Sequence, residues 1–377
     1  MKKELKEKII YLRNSIIHVV YGKILKPIFF RMDPEVVHDR MTNTGKLLGK
    51  FWLTRFITKI FFDYQNKSLE QEILKIKFKN PVGLSAGFDK DAELTDILPS
   101  VGFGFEEIGS ITGHASDGNP KPRLWRLKKS KSLVVYYGLK NKGAEKISDK
   151  LEDKKFNFAL GTSVAMTNCQ DNTDEETAIK DYVKAFSSFV FIGDYITVNI
   201  SCPNAIGGQP FTNPSALDKL LSAIDKVDCA KPIFLKLSPD LTHTEIDELL
   251  KIIKSHRVHG LIISNLTKPR DNVNIKDDVP EKGGISGKVV EGLSNDLLKY
   301  VYSKVGRDLV LVGVGGIFTA EDAYRKIRLG ASLVQLITGM IFEGPQTISE
   351  INRGLVELLK KDGFKNVSEA IGVDNKS

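Results

Sequence analysis

Short apolar runs alternate with longer amphipathic stretches along most of this chain, from about residue 70 onward. The apolar runs have the length of buried strands, and the stretches between them have helical periodicity. Eight strands, each followed by a helix, over roughly 290 residues predict a (β/α)8 barrel, the TIM barrel. The predicted strands are residues 82–85, 103–108, 158–162, 195–200, 233–237, 260–264, 309–314 and 333–337. The predicted helices include residues 173–189, 213–226, 242–256, 288–304 and 319–329.

A doubly wound parallel sheet is the alternative architecture for this alternation. It is disfavoured because no Gly-x-Gly-x-x-Gly motif opens a helix after an early strand. We therefore expect an α/β protein in two parts. Residues 1–65 are predicted to form a small N-terminal helical extension, and residues 66–377 a TIM-barrel catalytic domain.

The N-terminal segment is both basic and apolar. Residues 1–60 contain 13 Lys or Arg and 5 Asp or Glu, so their net charge of +8 equals that of the whole chain. Asp33-Pro34-Glu35 is typical of a helix start. No run reaches the roughly 20 apolar residues that span a bilayer, and no signal-peptide cleavage site follows. Amphipathic helices of this kind suit an anionic membrane surface, although they can equally pack on the barrel.

Composition argues against several functional classes. A hydrophobic content of 41% is ordinary for a folded protein. Cys169, Cys202 and Cys229 are far apart and no His-Glu-x-x-His motif occurs, so we expect neither a disulfide framework nor a metal site. This cysteine usage indicates a reducing compartment. Residues 61–377 have no net charge, so nucleic-acid binding is not expected.

Nearly every predicted strand ends in a glycine or a polar side chain. Because the carboxyl ends of barrel strands share one face, we expect one extended polar ligand across the barrel mouth. The glycines after the last two strands match the place where such barrels bind phosphate with backbone N–H groups. A single phosphate site predicts a mononucleotide cofactor such as FMN. The strand ends are Ala86-Gly87 with Lys90, Gly109-Ser110, Thr162-Ser163, Asn199, Lys236, Ser264-Asn265, Gly315-Gly316 and Thr338-Gly339.

Residues 197–204, Thr-Val-Asn-Ile-Ser-Cys-Pro-Asn, hold a cysteine between two asparagines where a strand gives way to a loop. Asn199 would end the strand, with Cys202 and Asn204 on the glycine-rich loop. A thiol can accept a proton, and two carboxamides can hold a planar amide-bearing ligand. A free cysteine is also commonly a small buried hydrophobe, so this motif alone leaves both interpretations open.

Seven ordered stretches of the chain carry a family resemblance: residues 80–91 (NPVGLSAGFDKD), 102–110 (GFGFEEIGS), 119–126 (NPKPRLWR), 199–204 (NISCPN), 236–240 (KLSPD), 283–287 (GGISG) and 313–316 (GVGG). Over essentially its whole length the chain resembles the dihydroorotate dehydrogenase family. The N-terminal extension, with Met32-Asp33-Pro34 and His38, is similar to the membrane-associated class that uses a quinone. The resemblance implies a peripheral membrane protein, a monomer or homodimer, at the cytoplasmic face of the inner membrane if the cell is bacterial.

The resemblance also implies an activity and a set of site residues. The implied reaction oxidises dihydroorotate to orotate in pyrimidine biosynthesis, with FMN as cofactor and a membrane quinone as electron acceptor. Cys202 is implied as the base that removes a proton from C5 while hydride leaves C6, and Arg126 as an arginine that faces the quinone. The implied substrate residues are Lys90, Asn199, Asn204, Asn265, Gly138 and Leu139. The implied cofactor residues are Ala86, Gly87, Lys90, Ser110, Ser163, Asn199, Lys236, Ser264, Gly287, Gly315, Gly316, Ile337 and Thr338.

Four positions depart from the family pattern. Cys202 is characteristic of the soluble class, whereas the quinone class normally has serine there. Val135 replaces a ligand-binding asparagine, a loss worth about 1–3 kcal/mol. Ser163 replaces a flavin-side asparagine, and Ile337 a tyrosine near the quinone. Two alternatives therefore stay open: a related FMN oxidoreductase acting on another dihydropyrimidine or cyclic amide, and a non-catalytic flavin-binding protein.

Overall fold

The structure, a computed structural model, describes residues 2–375. Its helices are α1 (Lys2–Val20), α2 (Lys26–Phe29), α3 (Pro34–Lys50), α4 (Trp52–Phe62), α5 (Leu98–Val101), α6 (Ala144–Leu151), α7 (Glu175–Ser187), α8 (Pro214–Asp225), α9 (His243–Ile253), α10 (Glu291–Val305), α11 (Ala320–Arg328), α12 (Thr338–Glu343) and α13 (Thr347–Lys361). Its strands are β1 (Gln71–Ile73), β2 (Ile76–Phe78), β3 (Val82–Leu84), β4 (Phe105–Thr112), β5 (Leu124–Leu127), β6 (Ser132–Val135), β7 (Ala159–Ala165), β8 (Tyr195–Asn199), β9 (Ile233–Leu237), β10 (Gly260–Ile263), β11 (Gly284–Gly287), β12 (Val310–Val314) and β13 (Leu333–Leu336).

Eight parallel strands close into a barrel in chain order, β3–β4–β7–β8–β9–β10–β12–β13, and β13 pairs with β3 to complete it. The TIM-barrel prediction is confirmed, and all eight predicted strands are present. Side chains such as Phe105, Tyr195 and Phe234 fill one layer of the interior. Gly83 leaves room for the Phe105 ring, since a Cβ atom there would lie 2.3 Å from that ring.

The connections between strands are less regular than the sequence predicts. A full helix after every strand is wrong at the first crossover, where α5 has only four residues. Pro99 lies in its first turn, and Gly102 ends it in the left-handed region with φ +100°. Two other connections carry strands, because β5 and β6 form a hairpin and β11 pairs antiparallel with β6. This three-stranded sheet contributes residues to the walls of the site described below.

The N-terminal helices pack on the barrel through polar contacts. Asp33 caps α3 as predicted, because its Oδ1 accepts hydrogen bonds from the N–H groups of Glu35 (2.9 Å) and Val36 (3.0 Å). The buried Glu35 carboxylate pairs with Arg123, Nη2 to Oε1, at 2.8 Å. Arg13 Nη2 donates to Ser349 Oγ at 2.7 Å. Within residues 2–375 no helix combines the length and apolar character that a bilayer crossing requires.

Candidate functional site

Two adjoining cavities lie at the carboxyl ends of the barrel strands. The first, the glycine cavity, is lined by Gly287, Gly315, Gly316 and Gly339 and has an empty volume of about 510 Å³. The second, the cysteine cavity, contains Cys202 in its wall and has an empty volume of about 930 Å³ including its open mouth. The two cavities share wall residues, so one extended ligand can occupy both. The shared residues are Ala86, Lys236, Asn265, Leu266, Ser286, Ile337 and Thr338.

Glycines shape the first cavity because no side chain fits there. Gly315 and Gly316 have φ values of +108° and +76°. A Cβ atom would lie 2.8 Å from Val290 Cγ1 at Gly315, and 2.3 Å from Glu291 Cβ at Gly316. The turn therefore presents bare backbone to the cavity, which is how backbone N–H groups come within reach of a phosphate.

A buried ammonium group lies where the two cavities meet. Lys236 is 3% exposed, and its Nζ donates to Ser85 Oγ at 3.3 Å. Burial lowers its pKa, and the charge of the buried Glu107 carboxylate opposes that effect. An ammonium has three N–H donors, so Lys236 retains donors for a ligand. A flavin ring with its N1–C2=O edge at this position would accept from it.

Three asparagines of the cysteine cavity are held in place by other polar groups. Asn199 Nδ2 donates to Ser110 Oγ at 2.8 Å, and Ser201 donates to Asn199 Oδ1 from its N–H (3.1 Å) and its Oγ (2.8 Å). Asn265 Nδ2 donates to Ser201 Oγ at 2.9 Å. Asn204 Nδ2 donates to the Val135 carbonyl at 2.8 Å. These bonds fix the amides, so their remaining polar atoms have defined directions.

Cys202 lies in the wall of the same cavity, on the loop after β8. Burial raises the pKa of its thiol, while the backbone N–H groups of Asn204 and Ala205 and the charge of Lys236 oppose this shift. The thiol is therefore less acidic than a free cysteine. A thiolate at position 202 would therefore form mainly at alkaline pH.

A second lysine, Lys90, enters the cavity from the loop after β3. Its Nζ lies 4.1 Å from the centre of the Tyr137 ring and 3.5 Å from His38 Nε2. Burial lowers the pKa of Lys90 to about 8. Burial and the charge of Lys90 together lower the pKa of His38 to about 4, so this imidazole is neutral. His38 Nε2 is 2.9 Å from the Phe88 carbonyl and Nδ1 is 3.3 Å from Asp39 Oδ1, so both ring nitrogens face an acceptor.

Two buried carboxyl groups lie next to this loop. Asp89 and Glu106 interact directly through their side chains, and both are almost completely inaccessible to solvent. Neither oxygen of Glu106 accepts a hydrogen bond from an N–H or O–H group of residues 2–375. Burial and the neighbouring Asp89 charge raise the pKa of Glu106 well above its ordinary value. Both effects favour a proton on Glu106, the carboxyl group whose oxygens accept no hydrogen bond.

One side of the cysteine cavity is apolar. Leu124, Leu133 and Ile341 line it, and all three belong to or pack against a cluster with Phe318 and Phe342. Arg126 lies beside this cluster rather than in the wall of either cavity. Its Nη1 donates to the Met32 carbonyl at 2.8 Å, and its guanidinium lies 4.8 Å from the centre of the Phe30 ring.

Most site residues predicted from sequence come together in these two cavities. Ser163 does not line either one, because its hydroxyl is bonded at 2.8 Å to Ser110 Oγ in the buried layer behind the wall. Sequence reasoning missed Ser286, whose Oγ is 2.8 Å from Thr338 Oγ1, and Leu266. For Leu266, the only signal in the sequence is its position next to Asn265. The predicted residues in the walls are Ala86, Gly87, Lys90, Ser110, Gly138, Leu139, Asn199, Cys202, Asn204, Lys236, Ser264, Asn265, Gly287, Gly315, Gly316, Ile337 and Thr338.

Comparison with known proteins shows which family this chain belongs to. The sequence model of the family described as dihydroorotate dehydrogenase matches residues 68–359. The chain belongs to the dihydroorotate dehydrogenase family. A relative from Trichodesmium erythraeum, named dihydroorotate dehydrogenase (quinone), is 35% identical over 378 residues and covers 95% of this chain and 99% of its own. A relative of the same name from Haloarcula marismortui is 39% identical over 353 residues, which is 93% of this chain and 98% of its own.

A solved structure gives the same result for the fold. The dihydroorotate dehydrogenase of Eimeria tenella in complex with ferulenol superposes with a TM-score of 0.82 at 28% identity, over 92% of this chain and 96% of that one. Dihydroorotate dehydrogenases are flavin-dependent oxidoreductases. The paired cavities, one with bare backbone and one with amides and a thiol, have the form that such an enzyme requires.

Proposed function

We propose that this chain oxidises dihydroorotate to orotate, with FMN as its bound cofactor and a membrane quinone as the electron acceptor. Its curated relatives are named dihydroorotate dehydrogenase (quinone) and match almost their whole length. The predicted residues that line the two cavities would have the roles that the family resemblance implies. This reaction belongs to pyrimidine biosynthesis.

The donor chemistry of the two cavities supports FMN as the cofactor. The Gly315-Gly316 turn, with Ser264 and Thr338 nearby, suits a single phosphate group. Lys236 would hold the N1–C2=O edge of the flavin ring, because a cation there stabilises negative charge on the ring. Ser110 and Asn199 would face the same ring from β4 and β8. Ser163 would act only through the hydroxyl of Ser110.

The chain itself supplies substrate binding and the proton acceptor. Asn199, Asn204 and Asn265 would hold the pyrimidine, with Lys90 as the countercharge for its carboxylate. Cys202 Sγ would take the proton from C5 of dihydroorotate. When bound, FMN would supply the hydride acceptor for C6 of dihydroorotate and the redox group between the substrate and the quinone. The loop residues Gly138 and Leu139 line the cavity and would contact the substrate.

The N-terminal helices support a membrane quinone as the acceptor. Apolar side chains stay exposed at helical spacing on α1 (Leu5, Ile9, Leu12, Ile16, Val19) and on α4 (Trp52, Leu53, Phe56, Ile57, Ile60, Phe61). Arg13 Nη1 joins the two helices by donating to the Ile60 carbonyl at 2.7 Å. So large an apolar surface is unusual on a soluble monomer, and its lysines and arginines favour anionic lipid. Residues 1–65 would therefore form a unit that binds the membrane peripherally.

The observation that carries this proposal is the meeting of Cys202, Lys90 and three fixed amides in a cavity continuous with the glycine turn. The test begins with the flavin released on denaturation, which we expect to be FMN and not FAD. Anaerobic addition of dihydroorotate should bleach the flavin, and a soluble quinone analogue should restore its colour. A colourless protein that does not take up FMN would contradict the proposal, and so would restoration by NAD or fumarate but not by quinone.

A related FMN oxidoreductase is the second candidate. Val135 lines the cysteine cavity with an apolar side chain, and its carbonyl already accepts the amide N–H of Asn204. Both facts reduce the polar contacts available to a pyrimidine. Reduction of the flavin by another dihydropyrimidine, with no reaction from dihydroorotate, would favour this candidate.

A further inference from the structure

A lysine is buried directly behind the glycine turn of the first cavity. Lys326 lies on α11 and is 1% exposed. Its methylene chain packs against β12, where a Cβ atom at Gly313 would come within 3.0 Å of Lys326 Cδ. The lysine and the strand that leads into the turn are thus in direct contact.

A single hydroxyl joins this ammonium to the turn. Lys326 Nζ donates to Ser294 Oγ and to Asn295 Oδ1, both at 2.8 Å. Ser294 Oγ donates to the Val314 carbonyl at 2.5 Å. Val314 immediately precedes Gly315, and the position of a Cβ atom at Gly315 lies 3.6 Å from Ser294 Oγ. Through Ser294, the charge of Lys326 can therefore influence the position of the Val314–Gly315 backbone, which faces the cavity.

Few positively charged side chains line the glycine cavity, where a phosphate dianion would bind. Among the described residues that line it, Lys236 is the only charged side chain. Lys236 lies on β9, two strands from β12 around the barrel, and its Nζ donates to Ser85 Oγ at 3.3 Å. A phosphate at the glycine turn would contact neutral donors on the cavity side of the turn. The Lys326 ammonium lies on the other side of the same backbone. Electrostatic attraction across this layer is weakly screened because Lys326 and Ser294 are both buried.

The other charges around Lys326 are paired with one another. Lys288 Nζ lies 2.8 Å from Glu291 Oε2 and 2.9 Å from Asp322 Oδ2, and Arg325 Nη1 lies 3.4 Å from Glu291 Oε1. Burial therefore dominates, and it lowers the pKa of Lys326 to about 7, with Glu291 and Asp322 opposing the shift and Lys288 and Arg325 adding to it. The group is close to half charged at neutral pH.

We propose that Lys326 is a positioning residue for the cofactor phosphate, which supports the Val314–Gly315 turn through Ser294 and takes up a proton when the phosphate dianion binds. This inference rests on the proposed function, because it requires FMN as the cofactor. Binding of the dianion and charging of the lysine then favour each other, as linkage requires. FMN should bind more weakly as the pH rises.

The test measures FMN release from the full-length holoprotein. The protein is diluted at pH 7, 8 and 9, and free flavin is separated by ultrafiltration and quantified. If the dianion prefers the charged lysine by tenfold to a hundredfold, the dissociation constant of FMN rises about 5- to 25-fold between pH 7 and pH 9. Riboflavin has the same ring and no phosphate, so titration of groups near the ring affects both flavins equally. The second ionisation of the phosphate, near pH 6, lies below this range.

Two variants assign the effect to this lysine. Lys326→Met should bind FMN with an affinity that changes with pH no more than that of riboflavin, and Ser294→Ala should reduce the difference. Lys304→Met removes an exposed lysine of α10 and should retain the wild-type pH dependence. Equal pH dependence of FMN and riboflavin in the wild type overturns the inference even if Lys326→Met fails to fold, and leaves the proposed cofactor intact. Binding of neither flavin overturns both.

Discussion

The role of Cys202 can be tested through the pH dependence of flavin reduction. The base must be a thiolate to take a proton, and burial raises the pKa of this thiol above its ordinary value. Below that pKa the thiolate fraction increases tenfold with each pH unit. The rate of flavin reduction by dihydroorotate should therefore rise about 100-fold between pH 6 and pH 8.

Substitution of Cys202 gives the magnitude of its contribution. Cys202→Ala should retain FMN and bind substrate, yet reduce its flavin about 10²–10⁴-fold more slowly, a loss of about 2.7 to 5.5 kcal/mol in transition-state stabilisation. Cys202→Ser should keep partial activity with its optimum at higher pH, because a hydroxyl loses its proton less readily than a thiol. Anaerobic stopped-flow absorbance of the flavin measures each rate without involving the quinone.

Cys169 provides a matched control for the substitution of Cys202. Cys169 is a partly exposed free thiol that lines neither cavity, so Cys169→Ala should reduce its flavin at the wild-type rate. A wild-type rate in Cys202→Ala would remove this thiol from the mechanism. A rate independent of pH between 6 and 8 in the wild type would show that formation of the thiolate does not limit the reaction.

Three further predictions concern other parts of the molecule. Val135→Asn restores a polar group to the substrate loop and should tighten dihydroorotate binding about 5- to 150-fold, measured by flavin absorbance titration; unchanged affinity would place the substrate away from this loop. Burial raises the pKa of Glu106 in the folded protein, so the stability that its protonated form contributes should be lost as pH rises above the ordinary carboxyl pKa. Glu106→Gln, which gives Asp89 a donor, should reduce this loss of stability with pH by up to about 1.4 kcal/mol per pH unit in urea unfolding; a pH dependence equal to wild type would contradict a proton on Glu106. Trp52→Ser removes a side chain that is 70% exposed on α4 and should weaken sedimentation with anionic vesicles, whereas Phe191→Ser, at a residue 94% exposed beyond α7, should not; equal loss in both would argue against a specific membrane face.

Local pattern was enough to predict the barrel and much of the candidate site. Buried strands need continuous apolar runs, and the eight runs identified in the sequence are the eight barrel strands. The Asp33 cap followed from a motif that acts within four residues. Because the carboxyl ends of parallel strands share one face, the order of the strands also placed Asn199, Lys236 and Gly315 near one another.

Long-range contacts decided the rest. The β6–β11 pairing joins Val135 to Gly284 across about 150 residues of chain, and no local signal encodes such a register. The pKa values of Cys202 and Lys326 depend on the depth at which packing places them and on the charges nearby. Local sequence predicted which residues could bind a ligand or take up a proton. Only the tertiary structure decided their protonation, because removal from water is a property of the whole fold.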